Sequence, residues 1–206
     1  EAIHDGFFLA LKKMPSKKQR IIRFLIKNSS IFKRNLRKIR NLEINQVSFL
    51  AKISLTISVI SRLFVHKLSS TFLWPSILKQ LCGEKLKFPI NGGGALPEHV
   101  DLFFESLGVD VLVGYGLTET SPVLTCRRSA LNVRGSSGQP LAFTEIKIMN
   151  EEKDKILKFR EIGKILVKGP QVMKGYLNNV SATNDVLSKD GWFDTGDLGF
   201  LIPNGS

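Results

Sequence analysis

The stretch "VGYGLTETSPV", from Val113 to Val123, combines residue types that could hold a phosphorylated ligand with a flat ring. The ring of Tyr115 can form a wall against a planar group. The hydroxyl of Thr118 can donate to a phosphate oxygen, and the carboxylate of Glu119 is a hard oxygen ligand suited to Mg²⁺. A tight turn needs the glycines but not these three side chains, and a turn with an incidental carboxylate is the alternative interpretation.

A second glycine-rich loop precedes this stretch and helps to position it. "KFPI" predicts a short strand that leads into Gly92–Gly94, where the backbone can approach a flat ligand closely. The residues after Pro97 have apolar side chains at helical spacing, and Gly108 predicts the end of that helix. A strand is predicted at Val109–Val113. Loops that follow parallel strands share one sheet edge, so this loop and Gly114–Gly116 should form a slot.

These glycines match neither of two common phosphate-binding patterns. The GxxxxGK[ST] pattern of a P-loop is absent, and so is GxGxxG. Two cysteines stand far apart without CxxC or a nearby His pair, which disfavours a zinc site or a disulfide framework and fits a reducing compartment.

The charge of the chain is concentrated in its first part. Residues 1–90 hold 18 Lys and Arg against 4 Asp and Glu, whereas residues 91–206 hold 12 against 14. The two parts therefore should meet different partners. We predict a basic helical region at 1–86 and a chemically active part at 87–206. Because the chain begins at Glu1 and ends in the turn-like "IPNGS", we expect it to be a fragment.

The sequence of the basic part predicts helices, and several kinds of partner could bind this region. Ser16 and Gln19 have the spacing of a capping box, and Val47–Val65 favours a helix although part of it alternates like a strand. That segment could cross a membrane, or lie on an anionic membrane surface with Phe72 and Trp74 at the interface. A solvated helical hairpin and an acidic protein partner are the other interpretations. No nucleic-acid partner is expected.

Four motifs in order give the chain a family resemblance. "INGGGALP", "GYGLTETSPV", "GPQVMKGYLNN" and "DGWFDTGDLG" resemble the adenylate-forming, or AMP-binding, superfamily, and within it long-chain fatty-acid ligases. The basic insertion that ends in "LWPSILKQL" resembles plastid and cyanobacterial acyl-(acyl carrier protein) synthetases.

The resemblance also implies an architecture. The expected fold is α/β: a part of the large N-terminal domain, with a parallel strand–helix–strand unit and a β-barrel-like part, preceded by the basic helical insertion. Alternation at Phe143–Met149 and Ile162–Lys168 predicts two strands of the barrel-like part, with the charged turn "NEEKDK" between them.

One side of the implied nucleotide site would hold the adenine. The resemblance assigns Gly93, Gly94 and Ala95 to one wall of the slot, through their main-chain atoms. Tyr115 would stack on the adenine from the other side, and Gly116 is counted with the same cofactor-binding set.

The other side would hold the phosphates and the ribose. The resemblance implies that Thr118 binds the α-phosphate and that Glu119 holds Mg²⁺, which makes these two the candidate catalytic residues. Asp197, in "DTGD", would accept both ribose hydroxyls, as a carboxylate can.

The implied reaction has two halves and several candidate partners. A fatty-acid carboxylate would attack ATP to form acyl-AMP, and a thiol of coenzyme A or of the phosphopantetheine arm of acyl carrier protein would then take the acyl group. The implied location is the cytoplasm or the plastid stroma, with peripheral membrane association as a further option.

The family's phosphate loop and its small C-terminal domain with a catalytic Lys are not found in this sequence. We therefore expect little or no turnover from these residues by themselves. A truncated protein that binds nucleotide or membrane without catalysis is one alternative. An adenylating enzyme for another carboxylic acid is the other.

Overall fold

The computed structural model describes residues 1–152 and 155–203. Residues 153 and 154 of the predicted charged turn, and residues 204–206 of "IPNGS", lie outside the described residues. The chain forms two compact units. The helical unit comprises Glu1–Asn91, Ala95–Leu112 and Asn132–Gly135. The strand unit comprises Gly92–Gly94, Val113–Leu131 and the residues from Ser136 onward. The predicted boundary after residue 86 stays a prediction.

The helical unit contains five α-helices and one short strand in its described residues. They are α1 (Ala2–Lys12), α2 (Ser16–Ile39), α3 (Phe49–Phe72), α4 (Trp74–Cys82), β1 (Ile90–Asn91) and α5 (Glu98–Ser106). The predicted capping box is wrong: Pro15 occupies the N-cap of α2, and the side-chain amide of Gln19 donates backward to the carbonyls of Lys12 and Met14. Gln19 therefore ties α2 to the end of α1.

Helices α2 and α3 pack as an antiparallel hairpin, which confirms the helix predicted at Val47–Val65. Asn35 donates to Ser58 at 3.0 Å, while Phe32 stacks on His66 with ring centroids 4.2 Å apart. Ser48 caps α3 by accepting from the amide of Ala51. By length and composition alone, α3 could cross a membrane, and a single helix of this kind is weak evidence that it does.

Trp74 corrects the expectation of an aromatic pair at an interface. Its side chain is fully buried, and its indole N–H donates to the hydroxyl of Ser29 at 3.3 Å. Phe72, two residues earlier, is 74% exposed. An indole has a large apolar surface and one donor, so a buried site with one acceptor suits it.

The core of the helical unit confirms the helix predicted after Pro97. The apolar side chains at its helical spacing are all buried, and they join residues from α1 and α4 in one cluster: Phe7, Leu11, Trp74, Val100, Phe103, Phe104, Leu107 and Val111. Gly108 follows α5 with a φ of +92°, a conformation that favours glycine. The amide of Val109 donates to the carbonyl of Phe104, so it completes the helix end rather than a strand.

A buried network of charged side chains lies beside this core. The guanidinium of Arg37 on α2 donates to Glu105 on α5 at 2.8 Å and contacts Glu43 at 3.3 Å. The guanidinium of Arg134 pairs with Asp101 and lies 3.5 Å from Glu105. Burial raises the pKa of the Glu105 carboxyl to about 7, and the positive charge of Arg37 opposes that shift. The network ties segment 132–135 to α2 and α5.

The strand predicted at Val109–Val113 begins later in the structure. β2 comprises Leu112–Tyr115 instead of Val109–Val113, and β1, at Ile90–Asn91, shares only Ile90 with the predicted "KFPI" strand. Pro89 has no amide donor, which limits the ladder before Ile90. Gly114 and Tyr115 pair antiparallel with Cys126 and Thr125, so Tyr115 ends a strand rather than standing at the tip of a turn.

The strand unit holds the antiparallel sheet that the sequence predicts. Its further described elements are β3 (Thr125–Cys126), β4 (Gln139–Pro140), β5 (Glu145–Met149), β6 (Gly163–Lys168), α6 (Val180–Val186) and β7 (Phe193–Gly199). β2 pairs with β3 and β3 with β4, while β5, β6 and β7 form a three-stranded sheet in that order. The two strands predicted at Phe143–Met149 and Ile162–Lys168 are therefore confirmed as β5 and β6. Leu124, Val167 and Phe193 form the buried centre of this unit.

Candidate functional site

The Thr-Glu turn after β2 is held by a residue that the sequence analysis did not select. Residues Thr118–Thr120 form one 3-10 turn. The buried hydroxyl of Thr120 accepts from the amide of Leu117 and lies 3.0 Å from the carbonyls of Leu117 and Pro122, to either of which it can donate. Thr120 thus makes the hydrogen bonds that the backbone of the turn needs. The side chain of Thr118 is exposed and that of Glu119 is half-buried.

Tyr115 is fixed by the strand that contains it. Its carbonyl accepts from the amide of Leu124 at 2.8 Å, and its side chain packs against the Leu124–Val167–Phe193 centre. Aromatic residues favour strands, and this pairing anchors the base of the side chain. The ring is half-buried, which leaves part of it available to another planar group.

Asp197 is displaced from its sheet by a bulge. Leu166 pairs with Asp194 and Lys164 pairs with Leu198, so one residue of β6 faces three residues of β7. Extra residues in one strand leave the ladder and re-aim a side chain. Gly196 within the bulge has a φ of +77°, a conformation that favours glycine. The "DTGD" sequence thus folds into a bulge that exposes Asp197.

The bulge is stabilised by its own side chains. The hydroxyl of Thr195 donates to the carbonyl of Ile165 at 3.0 Å and accepts from the amide of Asp197 at 3.2 Å. The carboxylate of Asp194 accepts from the amide of Gly196 at 3.0 Å. Phe193, the first residue of β7, is 2% exposed and anchors the strand that carries Asp197.

The structure brings Tyr115 and Asp197 together. The phenol of Tyr115 donates to Oδ2 of Asp197 at 2.7 Å, although 82 positions separate them in the sequence. Burial raises the pKa of the Tyr115 phenol, and the hydrogen bond to Asp197 and its negative charge raise it further. The phenol therefore stays protonated and remains a donor. A carboxylate has about four acceptor positions, so Asp197 retains capacity for other hydroxyl donors.

Glu119 meets a second tyrosine, which the sequence analysis also did not select. The phenol of Tyr176 donates to Oε1 of Glu119 at 3.0 Å, and the amide of Met173 donates to the carbonyl of Glu119 at 2.7 Å. The hydrogen bond to Glu119 raises the pKa of the Tyr176 phenol. Tyr176 lies in the quoted motif "GPQVMKGYLNN", and its position in that motif was the available signal.

The glycines of the two loops differ in whether a side chain could be accommodated. Gly93 has a φ of +75°, and neither it nor Gly94 has a neighbouring atom within 4 Å of the place where a Cβ would stand. Both are exposed, as a main-chain binding surface requires. A Cβ on Gly116 would collide with the carbonyl of Pro122, so packing alone demands glycine there. Ala95 is exposed and belongs to the helical unit. The ligand roles of all four stay predictions.

Two other polar side chains differ in burial. Arg127 is 5% exposed, and its Nε donates to the carbonyl of Ser136 at 2.7 Å. His99 is exposed. Its ring centroid lies 5.0 Å from that of His4.

The residues present fit a magnesium–nucleotide complex better than a preformed metal site. No group of three or more His, Cys, Asp or Glu side chains that could hold a metal occurs within 1–152 and 155–203. Mg²⁺ in nucleotide sites commonly uses one or two carboxylates, substrate phosphates and water. A half-buried Glu119 carboxylate beside an exposed Thr118 hydroxyl supplies that kind of donor set.

Comparisons with known proteins agree with this chemistry. The family model described as "AMP-binding enzyme" matches residues 43–177. The chain is 47% identical over 144 residues to the probable acyl-activating enzyme 16, chloroplastic, of Arabidopsis thaliana. It is also 47% identical over 146 residues to the long-chain-fatty-acid–[acyl-carrier-protein] ligase AEE15, chloroplastic, of the same plant. Each match covers 66% of this chain and 20% of the relative.

A solved structure shows the same similarity in three dimensions. The o-succinylbenzoate coenzyme A synthetase MenE from Bacillus subtilis, in complex with ATP and a magnesium ion, matches with a TM-score of 0.56 and 34% identity. This match covers 64% of this chain and 28% of the synthetase chain. The chain thus spans about one fifth of the length of the curated relatives named above.

Proposed function

Because the chain belongs to the AMP-binding enzyme family, we propose that the protein containing it is an acid–thiol ligase that activates a long-chain fatty acid with ATP. The hydrogen bond between Tyr115 and Asp197 carries this proposal. It joins two sequence motifs at one place in the strand unit, with the Thr118–Glu119 turn directly after the strand of Tyr115. An aromatic wall, a hydroxyl donor and two carboxylates are the groups that a nucleotide and its metal ion need.

The first half-reaction forms an acyl adenylate. An oxygen of the fatty-acid carboxylate bonds to the α-phosphorus of ATP, and the bond from that phosphorus to the pyrophosphate oxygen breaks. Thr118 would donate to an α-phosphate oxygen, and Glu119 would hold Mg²⁺, which would supply positive charge to offset that of the phosphates. Tyr115 and Asp197 orient the adenosine. As in other phosphoryl transfers, catalysis comes mainly from positioning and electrostatic stabilisation.

The second half-reaction transfers the acyl group. A thiol sulfur bonds to the acyl carbon, the bond from that carbon to the AMP oxygen breaks, and the thiol proton passes to solvent. We propose acyl carrier protein or coenzyme A as the thiol carrier. The name of the Arabidopsis ligase supports the carrier protein. The basic first part of this chain also suits an acidic partner, because complementary charge speeds encounter. The chloroplastic names of both relatives favour the plastid stroma over the cytoplasm.

A substrate panel on the full-length protein tests the proposal. ATP–pyrophosphate exchange is measured with a long-chain fatty acid, an amino acid or benzoate, without any thiol. Exchange with the fatty acid, and not with the amino acid or benzoate, supports the proposed function. Exchange only with another acid indicates the other adenylating enzyme, and nucleotide binding without exchange indicates the non-catalytic alternative. Mass spectrometry of thioester formed with coenzyme A or acyl carrier protein then identifies the acceptor.

We also propose that α3 brings this ligase to an anionic membrane surface. Its outer face exposes large apolar side chains at helical spacing, at Phe49, Ile53, Ile57, Ile60 and Phe64. Every charged residue of α3 is basic, at positions 52, 62 and 67, which complements anionic lipid.

Vesicle co-sedimentation of the full-length protein tests the membrane proposal. Phosphatidylglycerol vesicles should retain the protein, and the double variant Ile57→Ser/Phe64→Ser should lose most of that binding. The control Leu177→Ser removes an exposed apolar residue from the strand unit and should leave binding unchanged. Equal binding by all three proteins, or none by the wild type, would contradict the proposal.

A further inference from the structure

We propose that Tyr176 is a positioning residue that orients the Glu119 carboxylate for the metal–nucleotide complex. The inference rests on the function proposed above. The inference is based on a contact between two sequence motifs within the strand unit. The Tyr176 phenol donates to Oε1 of Glu119 at 3.0 Å, although the two residues are 57 positions apart in the sequence.

One loop holds Glu119 at both its backbone and its side chain. The amide of Met173 donates to the Glu119 carbonyl at 2.7 Å, and three residues later Tyr176 donates to the carboxylate. A free Glu side chain samples many rotamers, and fixing it in one of them costs conformational entropy. A carboxylate that is already held in place binds its ligand without that cost. The hydrogen bonds from Met173 and Tyr176 to Glu119 together supply such preorganisation.

The loop that carries Tyr176 is itself anchored. Its amide donates to the hydroxyl of Thr183 on α6 at 2.9 Å, and that hydroxyl donates to the carbonyl of Asn179 at 2.8 Å. Gly175, with a φ of +148°, lies so close to Thr183 that a Cβ would stand 2.9 Å from its methyl carbon. Asn179 caps α6 by accepting from the amide of Ala182. The first turn of α6 thus fixes the backbone from which the Tyr176 side chain extends.

The chemistry suits a group that acts through the metal ligand. Carboxylates that bind metals commonly accept a hydrogen bond from a neighbouring group, and losing that group costs about 10–100-fold in metal affinity or activity. Tyr176 occupies one acceptor position of Glu119, and a carboxylate has about four. The donor therefore orients the carboxylate without preventing it from binding an ion.

Binding of Mn²⁺ with ATP to the full-length protein separates this role from a structural one. Electron paramagnetic resonance measures Mn²⁺ affinity in the presence of ATP, and fluorescence titration in EDTA measures metal-free ATP affinity. We expect Tyr176→Phe to weaken Mn²⁺ binding about tenfold and to leave metal-free ATP affinity unchanged. Tyr176→Leu should weaken it by no more than a further factor of about two, because Tyr176→Phe already removes the donor. The adjacent exposed control Leu177→Ala should match the wild type.

Each outcome decides the matter. If the wild type binds Mn²⁺ with ATP and Tyr176→Phe binds it equally well, the inference is wrong and the proposed function stands. An equal loss in EDTA, or a loss in Tyr176→Leu alone, would show a structural role and would also overturn it. A wild type that binds no metal–nucleotide complex would contradict both proposals.

Discussion

The two units of this chain use polar side chains in opposite ways. In the helical unit, Arg37, Glu105 and Arg134 are each buried to 9% exposure or less, and both guanidinium groups pair with the Glu105 carboxylate. In the strand unit, Thr118 and Asp197 are exposed, and Glu119 is half-buried. Charges that satisfy each other inside a unit stabilise its fold. Carboxylates at a surface that still have unused acceptor positions can bind a ligand.

Glu105 and Glu119 have the same side chain, but this difference between the units gives them different roles. Both units contain a carboxylate held by a donor from a distant segment: Glu105 by Arg37, and Glu119 by Tyr176. The donor to Glu105 is a buried cation, which compensates its charge. The donor to Glu119 is a neutral phenol, which leaves the negative charge for an ion. We therefore expect substitutions in the helical unit to change stability, and those in the strand unit to change nucleotide chemistry.

The largest expected effect is loss of the buried network in the helical unit. Glu105→Ala leaves two buried guanidinium groups without their shared partner and should destabilise the unit by about 3–5 kcal/mol. Hydrogen exchange of α2 and α5 amides in the full-length protein measures it. The exposed control Glu98→Ala on the same helix should cost less than about 1 kcal/mol. Equal losses in the two variants would show that the network does not stabilise the unit.

The next effect concerns Glu119, the proposed metal ligand of the strand unit. Glu119→Gln keeps the shape and can still accept from Tyr176, but it removes the negative charge. We expect pyrophosphate release to fall about 100-fold, which corresponds to about 2.7 kcal/mol of transition-state stabilisation. Release is measured across a range of Mg²⁺ concentrations, with the exposed Glu145→Gln as control. An unchanged rate with an unchanged Mg²⁺ dependence would remove Glu119 from the metal site.

A pH effect should again distinguish the helical unit. Burial and, to a smaller extent, the nearby positive charge of Lys33 together lower the pKa of His66 to about 4. The unfolded chain, with a His pKa near 6.5, then binds the proton more tightly than the folded one. The His66 contribution to stability is therefore fully present above about pH 6.5 and is lost progressively as the pH decreases toward 4.

Hydrogen exchange of α3 amides at several pH values, corrected for the intrinsic rate, measures this slope. His66→Gln should flatten it, whereas His99→Gln, at an exposed position, should retain it. A slope that persists in His66→Gln would assign the effect to another group.

The smallest effect concerns the ribose. Asp197→Asn should weaken ATP binding about tenfold, because the amide has one acceptor oxygen instead of two and lacks the negative charge that strengthens hydrogen bonds from the ribose hydroxyls. With 2′-deoxy-ATP the same substitution should cost less, since one of those hydroxyls is already missing. Isothermal titration of the full-length protein with both nucleotides measures the difference, with the exposed Asp190→Asn as control. Equal losses for the two nucleotides would contradict ribose recognition by Asp197.

The sequence predicted elements and motifs better than it predicted contacts. The helix after Pro97, the strands of the β5–β6 pair and the end at Gly108 follow from local spacing and local conformational preference, and the structure contains all of them. The boundaries of β2 did not follow, because the Val109 amide completes a helix end and Tyr115 pairs with Thr125. Both contacts depend on residues outside the predicted strand.

Long-range partners explain the remaining errors. Arg37 has the same sequence context as the solvated basic residues around it, and only Glu105, 68 positions away, gives it a buried place. Trp74 follows an exposed Phe72, yet Ser29 on α2 provides the acceptor that allows burial. Tyr176 and Glu119 lie in separate motifs, and their contact appears only once the strand unit is folded.

Photolabelling with 2-azido-ATP tests most directly whether the strand unit holds the nucleotide. The full-length protein is irradiated with the probe and Mg²⁺, and labelled peptides are identified by mass spectrometry. We predict labelling of the peptide that contains Tyr115, with unlabelled ATP competing it away. Labelling confined to residues 1–86, or labelling of Tyr115 that excess ATP does not reduce, would contradict the assignment of the nucleotide site to the strand unit.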